Sequence, residues 1–143
     1  MKAIKNLSLV IVILITLGGC KSYYDAYSHQ ETIEVKNQTL VLMDSSVFKY
    51  NKYQVRLDSL KVKITNLYEY QKKRQNNIIV VEQWNTLLRD NGTFNNFFNY
   101  WKESDTVSKG YLKYIKPQMS KSFDKIIELE TKKKQENGLT RSL

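Results

Sequence analysis

Along residues 33–67, IEVKNQTLVLMDSSVFKYNKYQVRLDSLKVKITNL, apolar side chains recur at Leu40, Met43, Val47, Tyr50, Tyr53, Leu57, Leu60, Ile64 and Leu67. The steps are mostly three and four, which places these side chains on one face of a helix. A run of this length suits either a coiled-coil seam or a long bundle helix. Tyrosines at seam positions favour the thicker contacts of a bundle.

Beyond this run, the polar and basic stretch KKRQNN at residues 72–77 predicts a bend. Helical spacing then resumes at Ile78, Val81, Trp84 and Leu88. Asn91 and Gly92 tolerate positive φ and predict a turn, with Thr93 as N-cap of a helix carrying Phe94, Phe97, Phe98 and Trp101. Ser104, Asp105 and Thr106 predict another cap, ahead of Val107, Tyr111, Leu112 and Ile115. Pro117 should kink or restart that helix. Met119, Phe123, Ile126, Ile127 and Glu130 then carry the face on until it fades near Lys132.

With one proline and five glycines, the chain lacks the punctuation that hairpin-rich folds need. The expected fold is all-α, a three- or four-helix bundle. The alternative is a long antiparallel helical hairpin turning at Asn91-Gly92. The gathering of Trp84, Phe94, Phe97, Phe98, Tyr100 and Trp101 near that turn favours the bundle, because two helices give such rings too little cover.

The N-terminus reads differently. Lys2 and Lys5 precede an uncharged stretch, NLSLVIVILITLGG, at residues 6–19. As a helix it would reach roughly 21 Å, short of the roughly 30 Å hydrocarbon core of a bilayer. A cleaved signal peptide is the better reading. Leu17-Gly18-Gly19-Cys20 resembles the lipobox of bacterial lipoprotein precursors: an aliphatic residue, two small residues, then cysteine.

That resemblance covers only the leader. It implies that a diacylglyceryl group is added to the Cys20 thiol, that cleavage falls between Gly19 and Cys20, and that the new amine is commonly acylated too. Several acyl chains make such an anchor effectively permanent. Cys20 is the lone cysteine, so an intrachain disulfide or a cysteine-based metal cluster is ruled out.

The resulting organisation is a signal peptide over 1–19, a lipidated tether over 20–32, a helical domain over 33–135 and a flexible tail over 136–143. The tether holds Tyr23, Tyr24 and Tyr27, rings that suit a membrane interface, although tyrosine is abundant throughout the chain. The expected location is a bacterial membrane, the outer one in a Gram-negative cell and the cell membrane otherwise. Lys21 stands where an aspartate would resemble an inner-membrane retention signal.

The formal net charge is +9. An exported basic protein meets anionic lipid and envelope polymers rather than nucleic acid. Lys72, Lys73 and Arg74, together with Lys132, Lys133 and Lys134, are the groups that could hold a helical spacer against such a surface.

Catalytic signatures are not apparent in the sequence. The lone histidine, His29, falls in the expected tether, too little for a triad or a histidine zinc site. Asp124 and Glu128 share a helical face with Glu130 nearby, but Lys121 and Lys125 stand among them, the pattern of a solvated surface. No metal or other cofactor is expected.

The stretch FNNFFNYW at residues 94–101 invites a binding reading, with Trp84, Phe94, Phe98, Tyr100 and Trp101 as a partner-binding aromatic cluster. Its helical spacing argues equally for core packing. The function expected from these residues is a membrane-anchored, non-enzymatic binding or assembly module of the bacterial envelope, contacting an envelope protein or an anionic lipid or polymer.

Overall fold

A computed structural model describes residues 22–139. The leader, the Gly19-Cys20 cleavage site and the lipid-bearing Cys20 lie outside the described residues. Those described form five α-helices: α1 (Ala26–Asp44), α2 (Gln54–Lys73), α3 (Ile78–Leu88), α4 (Thr93–Ser104) and α5 (Lys109–Leu139). The protein is an all-α helical bundle. In it α1 packs on α2 and α5, and α3 closes the ring by touching α2 and α5. The remaining helix, α4, lies against α3 and α5.

Helix α1 starts where Asp25 accepts a hydrogen bond from the Ser28 amide at 2.8 Å, an N-cap that satisfies one orphan donor. Its buried stripe is Ser28, Thr32, Val35, Thr39, Leu42 and Met43, continued by Ser46. The Thr32 and Thr39 hydroxyls donate to the carbonyls of Ser28 and Val35 one turn back, at 2.7 and 2.6 Å. Polar side chains of this kind are tolerated inside because their bonds are made within the helix.

The helical run expected over residues 33–67 is broken. Two 3-10 turns, Ser45–Val47 and Tyr50–Lys52, interrupt it before α2 begins. Asp44, Ser45 and Ser46 compete weakly for helix, and the freed Ser46 carbonyl accepts the Val107 amide at 2.8 Å. Likewise the Tyr50 amide donates to the Asp105 carbonyl at 2.9 Å. The break is therefore held by the segment between α4 and α5. It also folds α2 back on α1, which an unbroken helix could not do.

The boundaries of the helical body move outward in consequence. Residues 26–32, expected in a tether, are the first turns of α1, with Ser28 and Thr32 buried. At the other end α5 runs on to Leu139, past the expected tail boundary at 136. Pro117 neither ends nor restarts α5; it sits exposed within the continuous helix.

Helices α2 and α4 follow the expected faces closely. Leu57, Leu60, Ile64 and Leu67 of α2 are buried, as are Phe94, Phe97, Phe98 and Trp101 of α4. In α3 the inward face is turned: Trp84 is buried as expected, but Val80 and Leu87 accompany it, and Ile78 is exposed. Trp84 meets Phe123 of α5 edge to face at 5.9 Å. Trp101 donates its indole N–H to the Phe48 carbonyl at 3.0 Å and meets Tyr50 edge to face at 5.5 Å. That indole locks α4 onto the loop joining α1 and α2.

The expected turn at Asn91-Gly92 exists, but for a different reason and with a different cap. Gly92 itself is the N-cap of α4, at φ −75°, and Thr93 is the first helical residue. Glycine is needed for space: a Cβ there would stand 2.7 Å from the Thr86 carbonyl oxygen and closer still to that of Leu87. The left-handed non-glycine positions are Asn76 and Asp105 instead. Gly92→Ala should destabilise the bundle by about 1–3 kcal/mol, read as a lower urea midpoint with an unchanged slope.

Candidate functional site

Four buried stripes end in polar side chains at one end of the bundle. Ser28 opens the stripe of α1, Gln71 closes that of α2, Asn77 precedes α3, and Glu130 follows Met119, Phe123 and Ile126 on α5. All four are buried, Glu130 completely. An unpaired buried carboxylate would be strongly destabilising, so its partners decide the local structure.

Those partners are Arg74 and Lys133. Arg74 Nη1 donates to Glu130 Oε1 at 2.6 Å, and Nη2 reaches Oε2 at 3.4 Å. Lys133 Nζ donates to the same Oε1 at 2.7 Å and to Asn77 Oδ1 at 2.5 Å. Asn77 Nδ2 donates to Gln71 Oε1 at 2.7 Å and to the Gln71 carbonyl at 3.0 Å. Gln71 in turn donates to the Ser28 hydroxyl. The network spans all four helices of the ring and leaves Glu130 no open face.

Arg74 also secures the first described residues. Its Nη2 donates to the Tyr23 carbonyl at 2.6 Å, and its Nε lies 3.8 Å from Asp25. Tyr70 donates its hydroxyl to the same Asp25 carboxylate at 2.5 Å. Burial opposes ionisation of Asp25, but the Ser28 amide, the Tyr70 hydroxyl and the Arg74 charge outweigh it and hold its pKa below the ordinary 3.8. Burial pulls the Lys133 amine below its ordinary 10.5, against the opposing pull of Glu130.

The aromatic cluster expected to bind a partner is core. Trp84, Phe94, Phe98 and Trp101 are buried, and only Tyr100 is exposed, its ring centroid 4.9 Å from that of Tyr111. Helical spacing brought the rings onto the inward stripe, where burial of such large side chains stabilises most. His29 is not in a tether but on α1, 3.3 Å from the Thr131 hydroxyl.

Asp124 pairs with Lys36 at 2.5 Å and Glu128 with Lys132 at 2.7 Å, so these acids and Glu130 serve three separate contacts. Among the described residues no cluster of three or more histidine, cysteine, aspartate or glutamate side chains could hold a metal. No described helix is long and apolar enough to cross a membrane.

The polar layer was missed as a site, although it left a trace: an acid on the apolar stripe that includes Phe123 and Ile126. Of the two basic groups expected to meet a polyanion, Arg74 and Lys133 turn inward, leaving Lys72, Lys73, Lys132 and Lys134 exposed. A separate groove of about 450 Å³ lies between α1 and α5, with Leu40, Leu112 and Pro117 beside Lys109, Lys113 and the ion pair of Lys116 with Asp44. Comparison with protein families, with curated proteins and with solved structures finds no match for the chain.

Two tests address the polar layer. Glu130→Gln strands two cations and should lower unfolding stability by about 3–5 kcal/mol, whereas adding Lys133→Gln should recover part of that loss in urea melts. Because the folded pKa of Asp25 is depressed, its contribution is complete above 3.8 and is lost as pH falls through the lower folded value. The melting temperature of wild type should therefore exceed that of Asp25→Asn near neutrality, the gap closing below that pH.

Proposed function

We propose that the protein is an exported bacterial lipoprotein, lipidated at Cys20, whose helical bundle acts as a non-enzymatic binding or assembly module on an envelope membrane. The observation that carries this reading is the lipobox-like Leu17-Gly18-Gly19-Cys20 lying immediately before a folded body. Tyr23 and Asp25 are already tied to Arg74, so only a few residues separate Cys20 from the bundle. A module held that closely would meet partners in or beside the same membrane.

The groove between α1 and α5 is a surface such a module can offer, because it combines apolar floor with lysine amines. The buried aromatics are better understood as the reason the module is rigid. A rigid body on a short lipidated stem suits assembly, since it keeps its contacts at a set distance from the bilayer.

In cells making the full-length chain, wild type should incorporate labelled palmitate and stay with membranes through a carbonate wash. Cys20→Ser should incorporate none and be released, or accumulate unprocessed. If Cys20→Ser stays firmly membrane-bound with unchanged leader processing, the lipid-anchor reading falls.

A further inference from the structure

Exposed apolar side chains occur at both ends of the bundle, Val41, Phe48 and Val55 at one, but those at the end with the polar layer adjoin the chain that leads to Cys20. Tyr23 is 74 % exposed, Ile78 71 % and Ile79 62 %; Tyr27 and Tyr70, packed edge to face on each other at 5.2 Å, are exposed as well. Scattered exposed apolar residues need no explanation, but two adjacent isoleucines beside the start of the described chain invite one. Val80 alone of the first three residues of α3 enters the core, so Ile78 and Ile79 face outward without any packing reason.

Basic groups surround them. Lys72 and Lys73 end α2, and Lys132 and Lys134 stand on α5. The acids that pair with Lys72 and Lys132 are Glu69 and Glu128, each one helical turn further from this end. Those two carboxylates are set back from the end, whereas Asp25 and Glu136 lie at it. Beside Ile79 a groove of about 210 Å³ is lined by Ser22, Val80, Leu129, Lys132, Lys133 and Glu136.

We propose that this end of the bundle is a docking face for an anionic bilayer, with Ile78 and Ile79 entering the head-group level, the tyrosines lying at the interface and the lysines meeting lipid phosphates. The occupant is set by what adjoins the face: the chain continues from Ser22 to Lys21 and Cys20 and then to the apolar residues 6–19. Acyl chains on Cys20, or that apolar stretch itself, would bring a membrane to this end. The inference rests on the proposed membrane location for its setting, but the face acts through its own side chains and can be tested without lipid on Cys20.

The experiment uses the unlipidated chain 20–143, which keeps every described residue, with its helicity checked by circular dichroism. Co-sedimentation is measured with vesicles of mixed phosphatidylglycerol and phosphatidylcholine, and with phosphatidylcholine alone. Wild type should bind the anionic vesicles and weaken as salt rises. Ile78→Asp with Ile79→Asp should reduce partition by about tenfold or more, and Lys73→Glu with Lys134→Glu should reduce it on anionic vesicles only.

Val55→Asp, an 80 % exposed site at the far end of α2, should change nothing. Equal loss from Val55→Asp and from the isoleucine pair would overturn the docking face, as would failure of folded wild type to bind anionic vesicles at low salt. The anchor reading would survive either result if Cys20 still takes up palmitate. Conversely, vesicle binding by a chain whose Cys20 is never lipidated in cells would leave the face standing and remove the anchor.

Discussion

Glu130 is fully buried at the end of an otherwise apolar stripe, and the lower half of the bundle is arranged around it. A carboxylate in that position must be met by charge and by hydrogen-bond donors. Arg74 comes from the bend after α2 and Lys133 from the next turn of α5. Bringing them in requires Asn76 to take a left-handed conformation, at φ 55°, and requires Asn77 to spend its side chain on Gln71 rather than on a helix cap. The same arginine then holds Tyr23 and Asp25, so the first described residues are secured by the group that neutralises one buried acid.

The opposite end is held by a different device. Trp101 bonds the Phe48 carbonyl, Val107 bonds the Ser46 carbonyl, and Tyr50 bonds the Asp105 carbonyl. These three bonds stitch the α1–α2 connection to the end of α4 and to the α4–α5 connection. Between the two ends all five helices contribute to the core, α1 through Val35, Leu42 and Met43 interspersed with the short hydroxylated side chains Ser28, Thr32 and Thr39. Small side chains allow close approach of neighbouring backbones, and α1 accordingly touches both α2 and α5.

These two ends have separate consequences for function. The end with the polar layer meets the chain that leads to the proposed lipid and gathers exposed isoleucines, tyrosines and lysines. The rigid aromatic core consumes rings that would otherwise be binding anchors, which leaves the module its grooves and its outer faces as contact surface. A reading in which Trp84 or Trp101 touches a partner is incompatible with their complete burial.

Much of this architecture was legible in the amino-acid order. The all-α class followed from three- and four-residue apolar spacing and scarce glycine and proline, because helix periodicity is a local property of the chain. The faces of α2 and α4 were legible for the same reason, whereas the turn at Asn91-Gly92 was placed on a tolerance of positive φ that Gly92 does not use. The break at residues 45–53 was not: Val47, Tyr50 and Tyr53 keep helical spacing there, and the hydrogen-bond partners that hold the break open come from residues 101–107. The start of α1 at Ala26 was hidden because its first buried positions are hydroxyls, which hydropathy reads as solvent-facing. Only the tertiary structure could place Arg74, Lys133 and Asn77 around Glu130, since an acid is stable in a core only when partners distant in sequence arrive to meet its charge.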